Sequence, residues 1–139
     1  MKVVPEGYHT VTPWIISKTE TASLIDFLIG GPLGSAELRT QVAATRVVTK
    51  CSCGCPSVGL EVDASVPSAR VKTLETPLGR LDWIPITAYQ PKSRSPDTEV
   101  TLHVVDGRLE ELEIWAGKYG VRPRADPARL EYSDGRGPT

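Results

Sequence analysis

Every cysteine in the chain falls within one hexapeptide, Cys51-Ser52-Cys53-Gly54-Cys55-Pro56, and no other segment constrains the fold as strongly. In an extended strand side chains alternate between faces, which would put all three thiols on one side. Gly54 and Pro56 are turn residues, however, and proline has no N–H to give to a ladder. The apolar pattern also changes parity across the segment. Val47 is odd-numbered before it, whereas Val58, Leu60 and Val62 are even-numbered after it. A hairpin tip accounts for both features, with one strand entering near Cys51 and the next leaving near Ser57. The thiols then crowd a tight turn.

Three chemistries are open to such a turn. The thiols can be small, reduced and inert side chains closing the end of a sheet. They can be soft ligands for zinc or copper(I). They can be redox groups, although C-x-C differs from the C-x-x-C of thioredoxin-like proteins and no helix opens directly after it. Structural zinc wants four ligands, commonly in cysteine pairs two to four residues apart. Here Cys51, Cys53 and Cys55 supply three, and the only histidines are His9 and His103. A fourth ligand would come from one of those, from a carboxylate, from another subunit or from water.

The 139 residues suit one domain with a core of its own. Apolar residues at 40% and charged residues at 24% are ordinary for a globular protein, and a net charge of −1 steers it to neither nucleic acid nor anionic membrane. No apolar stretch approaches membrane-spanning length, and the start MKVVPEGYH lacks the apolar core of a signal peptide. Three cysteines, an odd number, make a poor disulfide framework, so a reducing cytoplasm is the expected compartment.

His9–Ile16 is rich in β-branched residues and reads as a strand, which Pro13 confines to an edge or a bulge. Ser17-Lys18-Thr19-Glu20 matches a capping box and predicts a helix start. Ala22, Leu24, Ile25, Leu28 and Ile29 then form a helical apolar face, ended by Gly30-Gly31-Pro32. Ser35 is a second N-cap, opening a short helix with Leu38 and Val42 on one face.

From Thr45 the character is β. Arg46–Lys50 and Val58–Asp63 make the hairpin that carries the thiols. Residues 64–82 read as connection, Ile84–Tyr89 as a strand and 90–96 as a loop. Glu99–Val105 and Leu109–Trp115 flank Asp106-Gly107, a two-residue hairpin signal. Val100, Leu102 and Val104 share one face of the first strand, opposite Thr101, His103 and Val105; Leu112 and Ile114 are expected inward on the second, with Glu111 and Glu113 on a solvated face. The fold class is therefore α+β: one or two N-terminal helices packed on an antiparallel meander of about five strands. Residues 1–117 are expected to form a single domain and 118–139 an extended, partly mobile tail.

Two partial resemblances accompany this pattern. Residues 5–28, PEGYHTVTPWIISKTETASLIDFL, resemble the opening strand and helix of the vicinal-oxygen-chelate superfamily, the glyoxalase and bleomycin-resistance group. That resemblance implies paired βαβββ modules and a divalent metal held by His and Glu on a sheet. It places Pro13 where glyoxalase-type members carry their first metal-binding histidine, with His9 four residues early, so no catalytic residue is carried over. Residues 22–132 look like a group of small uncharacterised proteins of high-GC actinobacteria, through LIDFL, ELRTQVAATRVVTKCSCGCPSVGLEVD, HVVDGRLEELEIW and DPARL. This second resemblance implies no activity. Their overlap at LIDFL implies a glyoxalase-like strand and helix, residues 1–28, grafted onto another domain.

No phosphate loop, nucleophile elbow or H-E-x-x-H motif is present. A Cys-His dyad between the loop and His9 or His103 would need the partners to meet in space. Trp14, Trp83 and Trp115 are expected as core or interface anchors. The leading expectation is a small cytoplasmic binding or interaction module without catalytic or cofactor-binding residues, acting on an unidentified protein or small-molecule partner. Its loop is structural or a weak soft-metal site. The alternatives are a metal-dependent enzyme of the vicinal-oxygen-chelate type and a thiol redox or metal sensor. Edge prolines and an exposed hairpin also permit a homodimer.

Overall fold

A computed structural model describes residue 4 and residues 6–16, 19–31, 34–69, 83–90, 98–115, 125 and 129–132. Two helices and seven strands follow in the order β1 (Tyr8–Ile15), α1 (Glu20–Ile29), α2 (Ala36–Val42), β2 (Thr45–Cys51), β3 (Val58–Val62), β4 (Trp83–Gln90), β5 (Thr98–Val105), β6 (Arg108–Trp115) and β7 (Glu131–Tyr132). The strands form one sheet, β1-β2-β3-β6-β5-β4-β7, and every pairing is antiparallel. The class is α+β as expected, but the sheet has seven strands rather than about five. Nor is it one meander. Two three-stranded meanders, β1-β2-β3 and β4-β5-β6, join where β3 meets β6 through Val58–Leu112 and Gly59–Glu111. No helix among the described residues is long and apolar enough to cross a membrane.

Alternation along the strands decides which face meets the helices. Val58, Leu112, Leu102 and Ile86 lie opposite one another across β3, β6, β5 and β4, each no more than 4% exposed. They join Leu24, Ile25 and Leu28 of α1 and Leu38 and Val42 of α2 in one core. Each such side chain contributes about 1.5–3 kcal/mol by leaving water. The residues between them, Gly59, Glu111, His103 and Pro85, form a parallel row on the opposite face. Leu112 and Ile114 therefore point inward, while Glu111 and Glu113 point away from the helices, as their parity predicts.

The helix starts differ from expectation at one end. α1 is capped by Thr19, whose extended backbone lets Oγ1 accept from the Ala22 N–H at 3.4 Å. Its N–H and Oγ1 both bond the Ile16 carbonyl, which fixes the cap at Thr19 rather than at Ser17 of the predicted box. Ser35 caps α2 as predicted, accepting from the Leu38 N–H at 3.2 Å.

The prolines behave as their missing donors require. β1 is an edge strand, and its register with β2 shifts between Thr10 and Trp14, the interval that contains Pro13. Pro85 lies on β4 away from the Ala88 and Tyr89 positions that β7 covers. At the β5–β6 turn Asp106 (φ 52°) and Gly107 (φ 75°) both have positive φ, the signature of the predicted two-residue hairpin. A side chain at 107 would also collide with the Ala69 carbonyl, so glycine is required twice over.

Three polar anchors complete the frame. Gln41 of α2 is fully buried: its amide donates to the Gly107 carbonyl at 2.7 Å and the Pro67 carbonyl at 3.3 Å, and its carbonyl accepts from the Leu109 N–H at 3.1 Å. Arg108 donates to the carbonyls of Val62, Val66 and Asp63 at 3.1, 2.7 and 2.7 Å. Tyr132 of β7 stacks on Phe27 of α1, with ring centroids 4.6 Å apart, and donates to the Phe27 carbonyl at 2.7 Å. Most of 118–139 lies outside the described residues, as do 70–82 and, of the loop expected at 90–96, all but Gln90, which ends β4 opposite Thr98. Within the C-terminal stretch β7 is hydrogen-bonded to β4 and Leu130 is fully buried, a docking that no periodicity announced.

Candidate metal centre

The thiol loop is the tip of the β2–β3 hairpin. Its closure begins with the Cys51 N–H bonding the Ser57 carbonyl at 3.2 Å and the Gly54 N–H bonding the Cys51 carbonyl at 3.4 Å. Gly54 sits at φ 89°, in the left-handed region that side chains disfavour, and nothing crowds it. Here the glycine serves the turn, not close packing.

The bulge in β2 aims the first thiol. Val47 pairs with Leu60, but Thr49 pairs with Gly59, so Val48 is an extra residue. Val47 faces the helices, whereas Thr49 and Cys51 join the row on the other face. Thr49 is 4% exposed, and its hydroxyl lies directly over Gly59, where any side chain would meet it.

Two neighbours hold the loop in place. The Ser52 N–H donates to the Gly7 carbonyl at 2.7 Å, and Ser52 Oγ lies 3.0 Å from His9 Nδ1, which ties the loop to the start of β1. On the other side Ser57 Oγ accepts from the Ile114 N–H at 2.9 Å and donates to the Ile114 carbonyl at 3.3 Å, stitching the loop to β6. Cys55 Sγ donates to Ser57 Oγ at 3.4 Å.

So held, Cys51, Cys53 and Cys55 place their sulfur atoms within 4.8 Å of one another. Cys51 Sγ and Cys53 Sγ are 3.0 Å apart, and none of the three cysteines is in a disulfide. Cys53 is exposed and the other two are half-buried. Burial, reinforced by hydrogen bonding to Cys53, pushes the Cys51 thiol up to about 12. At neutral pH that group carries its proton, and an entering metal must displace it.

Neither histidine belongs to the group of donors that converge there. His9 reaches the loop only through Ser52. His103 lies on β5, two strands from β3, paired in register with Glu111 on β6, its Nε2 3.2 Å from Glu113 Oε1. Burial alone would lower the His103 pKa, but the hydrogen bond to Glu113 and the charges of Glu111 and Glu113 outweigh it, and the value is raised. The same hydrogen bond holds Glu113 below its usual range. The predicted thiols therefore come together, and the two histidines offered as a fourth ligand lie apart from them.

The thiols border a pocket of about 760 Å³ on the sheet face away from the helices. Its floor and far wall are Glu111, Glu113, Glu99 and Trp115, and its near wall is Gly7 and Tyr8. The Tyr8 hydroxyl donates to Glu111 Oε2, bridging the first and sixth strands in sequence. Burial and this bond to a carboxylate raise the phenol's pKa above its ordinary value. Glu111 and Glu113 were legible as outward-facing positions. Tyr8, Ser57 and Trp115 gave no sign of belonging to a site, because what brings them together is the β3–β6 pairing.

No family model, curated protein or solved structure matches this chain. Neither resemblance gains support from these comparisons, and what stands of the second is its C-x-C-x-C loop, here a compact cluster.

Proposed function

We propose that this protein is a small binding module that holds a soft metal ion, zinc or copper(I), in the loop of Cys51, Cys53 and Cys55. The observation that carries the proposal is the convergence of three reduced cysteine sulfur atoms within 4.8 Å at a turn pinned from both sides. An inert role for the thiols would bury them, yet Cys53 is exposed and the other two are only half-buried. Soft thiolates in such a cluster suit zinc or copper(I) over magnesium or calcium, which prefer oxygen.

The rival readings have less support. A redox thiol is activated by a lowered pKa, and that of Cys51 is raised. A vicinal-oxygen-chelate enzyme calls for two βαβββ modules, whereas both described helices precede β2 and the strands form a single sheet.

Purification under reducing conditions without a histidine tag, followed by metal analysis and thiol titration, tests the proposal. One zinc or copper per chain, with thiols that react only after a chelator is added, is the expected result. Metal-free protein that still takes up neither ion on addition, with freely titrating thiols, would remove the basis for it.

A further inference from the structure

Resting on that metal-binding reading, we infer that zinc in this loop keeps an open fourth position facing the 760 Å³ pocket, and that the pocket supplies the fourth ligand from outside the chain: a small nitrogen heterocycle carrying a cationic arm.

The donor count makes the first part of the case. Zinc is four-coordinate, and sites with three protein ligands leave the last position to water or an incoming molecule. Among the described residues the converging donors are the three thiols alone. His103 is engaged with Glu113 on the neighbouring strand, and His9 stands against Ser52. All three cysteines border the same pocket, so an ion seated between them borders it too. On binding, each thiol gives up its proton to solvent, and the divalent ion with three thiolates carries a single net negative charge. Water in the fourth position leaves as a neutral heterocycle nitrogen enters with its lone pair, and no redox partner is involved.

The walls make the second part. Trp115 also borders the pocket, and an indole is a surface against which a planar heterocycle can lie. Among the described residues Glu99, Glu111 and Glu113 line the space and no lysine or arginine does, which favours a cationic arm and opposes an anionic one. The three-thiolate centre adds to the same field.

The test loads the full-length, reduced protein with Co²⁺ as a spectroscopic stand-in for zinc and titrates it with imidazole, histamine and imidazole-4-acetate. These share one donor and differ in charge. Thiolate-to-cobalt charge-transfer bands establish the loop as the metal site, and their absence would sink the metal reading itself. Given those bands, the expected result is a saturable change in the cobalt d–d spectrum with imidazole. Histamine should bind about three- to fivefold tighter than imidazole, as for a partly exposed charge pair, and imidazole-4-acetate more weakly. A spectrum that none of the three alters would show a closed site and overturn the inference; a doubled size in solution would then identify a second copy as the source of the fourth ligand. Equal binding of all three would overturn the cationic class. Glu113→Gln should reduce the preference for histamine over imidazole, and the thiolate-to-cobalt charge-transfer bands double as a check that this variant is folded.

Discussion

At the scale of single residues, two buried polar groups make opposite predictions. Gln41 spends its whole side-chain amide on the backbone of the β5–β6 turn and the loop at Pro67. Replacing it with alanine leaves the buried Leu109 N–H without its partner, and urea unfolding should show a loss of about 2–3 kcal/mol. A loss below about 0.5 kcal/mol would mean that water substitutes for the amide. Thr49 is the reverse case. Among the described residues its buried hydroxyl has no hydrogen-bond partner, so Thr49→Val should be neutral or stabilising by up to about 1 kcal/mol in the same assay. A marked destabilisation would reveal a bonded hydroxyl. Both residues could be seen in the sequence only as polar positions within a helix and a strand. What they bond, or fail to bond, depends on segments up to 68 positions away.

At the scale of elements, the β5–β6 pair carries a titratable cross-strand contact between His103 and Glu113. Glu113 is held below its usual range, so its contribution is present above the unfolded carboxylate value and lost as pH falls through the folded one. His103 is raised, so its contribution is full below the unfolded imidazole value and lost as pH rises through the folded one. The two windows overlap between about pH 4.3 and 6.5. With Glu113 half exposed, the contact is worth under about 1 kcal/mol there. Stability of the wild type minus that of His103→Gln, measured across pH 3–9, should peak in that window; a flat difference would refute the coupling. The C-terminal strand offers a second element-scale outcome. Tyr132→Phe keeps the stack on Phe27 and loses the bond to its carbonyl, so hydrogen exchange at the β4–β7 pairing should quicken while the β5–β6 hairpin stays protected. Uniform quickening would mean that β7 is not a separable unit.

For the whole molecule, a metal that binds only the folded loop must raise the melting temperature, with a stabilisation that grows as the logarithm of its concentration over its dissociation constant. Zinc at a hundredfold excess over that constant should stabilise the protein by about 2.7 kcal/mol, and Cys53→Ser should abolish most of the gain without changing the metal-free melting temperature, because Cys53 is exposed. A zinc effect that survives this substitution would place the ion elsewhere. Much of the architecture behind this was readable along the chain. The hairpin tip at Cys51–Pro56, the Asp106-Gly107 turn, the cap at Ser35, the edge proline at 13, the shared face of Val100, Leu102 and Val104 and the inward Leu112 and Ile114 all follow from short-range rules of parity, dihedral preference and missing donors. Those rules act within a few residues, so the sequence by itself determined the first six strands, the two helices and the crowding of three thiols at one turn. The tertiary structure alone decided that β3 lies beside β6, that a bulge at Val48 turns Cys51 away from the helices, and that β7 returns to cover β4. Each of these rests on contacts between segments far apart in the chain, where pairing depends on which complete set of faces can be buried together. The pocket owes its existence to that choice, because Tyr8, the thiol loop and Glu111 meet only when the two meanders share a sheet.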